Sequence, residues 1–113
     1  MIRNRSTANH AIWGDGCDAW ELLAGPALSV KHERMPPGTR ETRHHHTKAE
    51  QFFFVLTGEM VMEIEGTSVT LRPQEGISVP AGQRHQAINK GPETSEFLVV
   101  SAPSTTADRI EEP

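Results

Sequence analysis

Gly38-Thr-Arg-Glu-Thr-Arg-His44-His45-His46-Thr-Lys-Ala-Glu50-Gln51-Phe-Phe-Phe-Val-Leu-Thr-Gly58 is the stretch from which the rest of the chain is read. Histidines 44, 45 and 46 stand just before a strongly apolar run, Phe52–Leu56. In an extended chain, side chains alternate between two faces. His44 and His46 then share one face, and His45 takes the other. The polar segment Thr47–Glu50 suffices to turn the chain. The spacing predicts that a strand over Gln51–Thr57 returns antiparallel beside the histidine strand and aims Gln51 at the same pocket. Two imidazoles and a nearby oxygen donor are most of a divalent-metal site. Phe53 and Val55 share the parity of Gln51 and line the interior, whereas Phe52, Phe54 and Leu56 face the other way.

Outward from this stretch, short strands recur with Gly or Pro between them. Candidates are Asp18–Ala24, Leu28–Met35, Met60–Glu65, Thr67–Leu71, Ile77–Val79, His85–Asn89 and Ser95–Ala102. The first half of Leu28–Met35 alternates apolar and polar, as a half-buried strand does. No amphipathic helical pattern of useful length appears. Many short, evenly spaced strands are the signature of an all-β sandwich or barrel. One domain over 1–113 is expected, with a loosely held N-terminal arm at 1–11, a barrel at 12–102 and an exposed polar tail at 103–113.

Composition bounds the rest. At 113 residues there is room for a single core, and a hydrophobic share of 35% makes that core economical. A net charge of −4 without a basic cluster argues against a nucleic-acid partner. Phe52–Leu56 is too short to span a bilayer, so no membrane partner is expected. The first residues lack the apolar core of a signal peptide, which by default points to the cytoplasm. A lone cysteine, Cys17, excludes an internal disulfide framework, and no histidine nearby in sequence marks it as a nucleophile.

The candidate donors are His44, His46, Gln51, Glu50 and His85. His85 follows Pro80-Ala81-Gly82, where a fixed proline and a permissive glycine set the next strand with little freedom. The pattern Gly38-(five)-His44-His45-His46-(four)-Gln51-(six)-Gly58 resembles the first cupin motif, and Pro80-Ala81-Gly82-Gln83-Arg84-His85-(three)-Asn89 resembles the second. The resemblance covers about half the chain, Gly38–Asn89. It implies an all-β cupin double-stranded β-helix, a jelly-roll barrel, holding one divalent ion (Fe, Mn, Ni, Zn or Co) on His44, His46, Gln51 and His85. There are two departures. Gln51 stands where the pattern usually has Glu, and Glu50, the alternative ligand, faces away by strand parity. The second motif usually opens with Gly at the place of Gln74, and here the glycine comes later, at Gly76. Four neutral donors leave a bound ion its full +2 charge, which suits an anionic or enolate-forming small molecule.

Three functions are open at this stage: a metal-dependent enzyme of dioxygenase or isomerase type, a non-catalytic ligand-binding or sensing module, and a structural domain. Arg34, Arg40, Arg43 and Arg84 are candidate carboxylate anchors, and Glu63 and His32 are the visible proton donors. The apolar face of Phe52, Phe54 and Leu56 predicts a homodimer, the alternative being cover by the chain's own N-terminal segment. With an ordinary imidazole pKa of about 6.5, protons are expected to displace the ion below about pH 6.

Overall fold

The computed structural model describes residues 1–112. The strands are β1 (Asn9–Trp13), β2 (Cys17–Ala24), β3 (Ser29–Met35), β4 (His44–His45), β5 (Glu50–Thr57), β6 (Met60–Ile64), β7 (Thr67–Leu71), β8 (Gly76–Val79), β9 (His85–Ile88), β10 (Ser95–Ala102) and β11 (Ile110–Glu111). A six-stranded sheet runs β1-β2-β3-β10-β5-β8, and a five-stranded sheet runs β11-β4-β9-β6-β7. The paired strands are antiparallel throughout. The two sheets face each other as a double-stranded β-helix. No helix among the described residues is long and apolar enough to cross a membrane.

The core lies between the sheets and follows from strand parity. Phe53 and Val55 on β5, with Phe97 and Val99 on β10, point inward from the larger sheet. Met60 and Met62 on β6, Leu71 and Ala87 meet them from the smaller one. Burial of each large apolar side chain contributes roughly 1.5–3 kcal/mol. Unbranched methionines fill the irregular gap between curved sheets without demanding one shape. The β5–β6 turn needs Gly58. Its φ is +73°, and a Cβ there would stand 2.5 Å from the Thr94 carbonyl oxygen, a distance no side chain tolerates.

Four expectations are corrected by this architecture. β4 and β5 are not neighbours. β4 pairs with β9 and β11, while β5 pairs with β10 and β8. The turn at 47–49 carries the chain across from one sheet to the other, so Gln51 approaches the histidines from the opposite wall. The N-terminal arm is in part a strand, with β1 paired to β2 from Asn9 to Trp13. In β3 the buried ends are Ser29 and Met35, so the inward face is the polar one, with Lys31 and Glu33 between them. The alternation of Leu28 and Val30 suggests the other face. Finally, residues 104–112 are not a free tail, and Pro113 lies outside the described residues. Ser104 donates its N–H to Pro26, β11 pairs with β4, and Glu112 donates to Arg43. Asp108 is buried and accepts from Thr47 N–H and Oγ1 (2.8 and 2.6 Å) and from the N–H groups of Lys48 and Ala49 (both 3.0 Å). Its carboxylate therefore pins the turn that carries the chain between sheets. These bonds, that to the Thr47 hydroxyl foremost, hold its pKa well below the usual carboxylate range.

Candidate metal centre

β4 and β9 meet at the pair His44↔His85, and His46 follows on the same face as His44. The imidazole centroids are 4.4 Å apart for His44–His85, 4.9 Å for His44–His46 and 5.7 Å for His46–His85. Gly82 donates its N–H to the His46 carbonyl at 2.7 Å, which ties the second motif's turn to the first motif. All three rings are held the same way. His44 Nδ1 bonds the Thr42 carbonyl (2.8 Å), His85 Nδ1 the Gln83 carbonyl (2.9 Å), and His46 Nδ1 the Asp108 carbonyl. A carbonyl only accepts, so each Nδ1 carries the hydrogen and each Nε2 keeps a lone pair. That is the tautomer a metal requires, oriented by backbone.

One ligand atom from each of His44, His46 and His85 lies within 4.8 Å of the others, so the three could hold an ion. Two ligands bound at about 2.1 Å stand up to about 4.2 Å apart across the ion, close to this spacing. Gln51 and Ser101 line the same chamber of about 140 Å³, as do Phe53 and Val99. Gln51 Nε2 donates to Ser101 Oγ (3.1 Å), which leaves its Oε1 free to accept. That Oε1 and His85 Nε2 are buried with no hydrogen-bond partner. Buried polar atoms without partners are costly and rare, and these two are the atom types a borderline divalent ion takes. The donor set therefore fits a metal. Glu50 points outward and is exposed, as strand parity requires. His45 lies half-buried outside the cluster, and Cys17 is a buried core thiol whose pKa is raised by that burial.

The chamber also holds charged groups that sequence alone does not reveal: Lys31, Glu33, Glu41 and Arg109, with Thr105 beside them. Burial pushes the Glu33 carboxyl up to about 7. Burial, reinforced by the nearby Glu33, pushes Glu41 up to about 8. Glu41 accepts from Ala87 N–H at 2.9 Å and lies 4.0 Å from His44 Nδ1. By contrast, Glu63 is bound to Arg43 (2.7 Å) and His32 pairs with Glu96 (2.8 Å) on the outer face. Arg34 pairs with Asp18, Arg84 with Glu112, and neither reaches the chamber. The available signal for Glu33 is its register with Ser29, Lys31 and Met35 on β3. Arg109 carries none, because its place depends on the C-terminal return.

The larger sheet's outer face carries Trp20, enclosed by Arg5 (3.9 Å to the ring centroid), His10 and His32. Arg5 also reaches Glu96. The N-terminal segment thus covers the Trp20 end and leaves Phe52 at 43% and Leu23 at 42% exposed.

The fold and site define a β-barrel with an internal histidine cluster, and the cupin-domain family model (Cupin_2) matches residues 31–101. This chain belongs to the cupin family. The chain is 30% identical over 69 residues to the polyketide synthase CurC of Streptomyces cyaneus, covering 61% of this chain and 45% of that protein. It thus spans less than half the length of that relative. It is 26% identical over 80 residues to the oxalate-binding protein of Thermotoga maritima, covering 71% and 66% of the two chains. The structure of KdgF from a Halomonas species superposes with a TM-score of 0.84 at 20% identity, covering 95% of this chain and 98% of that one, which establishes likeness of fold.

Burial pushes the His44 pKa down to about 3, and burial likewise lowers His46 and His85. The proton competition expected from ordinary imidazoles near pH 6 is thereby moved to lower pH. For stability, the unfolded histidines take up protons below about 6.5 that the folded ones refuse. The metal-free fold therefore loses their contribution as pH falls from there towards 3. Glu33 and Glu41 act in the opposite sense. Their contribution is present below the ordinary carboxyl range and lost as pH rises through 7 to 8. In the metal-free protein, NMR of the imidazole C–H resonances is expected to give midpoints for His44, His46 and His85 all below 6.5, with His44 lowest. A His44 midpoint at or above that value would contradict the buried neutral cluster.

Proposed function

We propose that this protein is a metal-dependent enzyme that acts on a small oxygen-bearing organic molecule by moving a proton, an isomerase-type rather than a dioxygenase-type chemistry. The observation that carries this reading is the chamber itself. His44, His46 and His85 cluster within ligand distance of one another, Gln51 Oε1 and His85 Nε2 are buried without partners, and Glu33 and Glu41 line the chamber with His44, His46 and Gln51. The ligands of the ion are assigned as His44, His46 and His85 through Nε2 and Gln51 through Oε1. A divalent ion there supplies Lewis acidity to a bound carbonyl or enolate oxygen.

The chain's own groups supply the remainder. Before an ion binds, Glu33 is poised near neutrality and Glu41 above it. Such a pair suits general base and general acid. Glu33 takes a proton from the carbon beside a carbonyl, and Glu41 returns one elsewhere on the same molecule. Lys31 and Arg109 offset the negative charge of an anionic substrate. Phe53 and Val99 give the chamber an apolar wall. The match to a polyketide synthase protein supports a carbonyl-rich substrate. A second reading, binding without turnover, is favoured by the match to an oxalate-binding protein and by a chamber of about 140 Å³, which suits a small dianion.

We further propose that the protein is a homodimer packed through the outer face of the larger sheet. Phe52 is 43% exposed and stacks beside Phe54 with centroids 6.3 Å apart. A second copy presenting the same face would cover both.

Protein purified without a tag should contain about one divalent ion per chain. His85→Ala should lower metal occupancy far more than His45→Ala; equal losses would refute the ligand assignment. In deuterium oxide the loaded protein should speed exchange at the central carbon of a β-diketone such as acetylacetone. Glu33→Gln should reduce that exchange roughly a hundredfold or more, the usual range for removing a general base, with metal content kept. Stoichiometric oxygen uptake would instead support a dioxygenase, and tight binding without exchange a ligand-binding module.

Light scattering at micromolar concentration should give twice the chain mass, and Phe52→Asp should halve it without loss of metal. A monomeric wild type would overturn the dimer.

A further inference from the structure

Beside the chamber lies a second cleft of about 410 Å³, and Lys31, Glu33, Glu41 and Arg109 line both. This cleft exists because the sheets differ in width. β1 and β2 extend the larger sheet beyond β3, while the smaller sheet ends at β11. Inward-facing side chains on the overhang therefore meet no opposing strand. Ala11 has the inward parity of Trp13 and is nevertheless exposed. One wall is Ala11, Trp13 and Ala19; the other is the edge formed by Arg40, Thr42 and Glu111. Small residues beside an indole leave a slot rather than a round hole. Trp13 Nε1 is buried with no hydrogen-bond partner. Lys31 and Arg40 make no ion pair among the described residues.

Size decides what such an arrangement takes. Sites for small organic ligands usually span about 300–1,000 Å³. The chamber alone, at about 140 Å³, falls short of that, whereas chamber and slot together fall within it. We propose that the slot between β1–β2 and the Arg40–Thr42 edge is the outer half of the ligand site. It takes the flat, apolar body of an organic anion of two or more fused rings, whose oxygen-bearing end enters the chamber. Trp13 and the alanines contact the ring faces, and Arg40 and Lys31 flank the path of the anionic end. The slot thereby selects by body size, while the histidine chamber selects by head group. This inference rests on the proposed metal-binding chamber, because the head group needs the ion to anchor it.

The test compares two chelating anions with the same head and different bodies, salicylate and 3-hydroxy-2-naphthoate. Binding to the metal-loaded protein is followed by calorimetry and by quenching of tryptophan fluorescence. The naphthoate should bind roughly tenfold or more tighter than salicylate, from the apolar area of its second ring. Ala11→Trp, at an exposed position of an edge strand, should fill the slot and abolish that gap while metal content is kept. Arg40→Glu, also exposed, should weaken both anions, because it reverses the charge beside the path of the head they share. Equal affinity of the two anions for the wild-type protein, or a gap that survives Ala11→Trp, would overturn the slot. Metal content on the same samples separates the two readings: absence of the ion overturns the chamber reading and this inference with it, whereas a full site that ignores the second ring overturns the slot alone.

Discussion

Three neutral imidazoles buried in one chamber, each with its Nδ1 hydrogen committed to a backbone carbonyl, are the constraint on which the rest of the structure depends. Those bonds decide the tautomer, and the tautomer leaves lone pairs pointing at one another inside a low-dielectric space. Protonating any ring there is opposed by burial and by its neighbours. Without a cation, the interior keeps unsatisfied acceptors at His85 Nε2 and Gln51 Oε1. An ion held there would relieve both at once, and its binding would then add to the stability of the fold.

The carbonyls that hold the rings come from different parts of the chain. Thr42 lies just before β4 and Gln83 just before β9, but Asp108 comes from beyond the last long strand. The same aspartate secures the 47–49 turn through its carboxylate. The C-terminal segment is therefore part of the site: it orients His46, fixes the turn between sheets and brings Thr105 and Arg109 to the chamber wall. The lowered pKa of Asp108 keeps this anchor ionised throughout the neutral range.

Much of this was legible from residue spacing. The two histidine motifs pointed to the barrel and to His44, His46 and His85. A period of two placed Gln51 inside and Glu50 outside without any coordinates. What spacing could not reveal is what depends on distant partners. The separation of β4 and β5 into opposite sheets is set by a turn pinned from 59 to 61 residues away. Glu33 and Lys31 resemble a solvent-facing row on β3, because polar residues at alternate positions usually are one; here they line the interior chamber. Polar composition likewise made residues 103–113 look like a tail, although one buried carboxylate holds the segment down.

X-ray absorption at the metal edge of protein loaded with zinc or manganese tests the central claim most directly. The site described here predicts three imidazole nitrogens and at least one oxygen at roughly 2.0–2.2 Å, with one imidazole lost in His85→Ala. A coordination sphere with no more than one imidazole, or a spectrum unchanged by that substitution, would place the ion elsewhere and contradict the account.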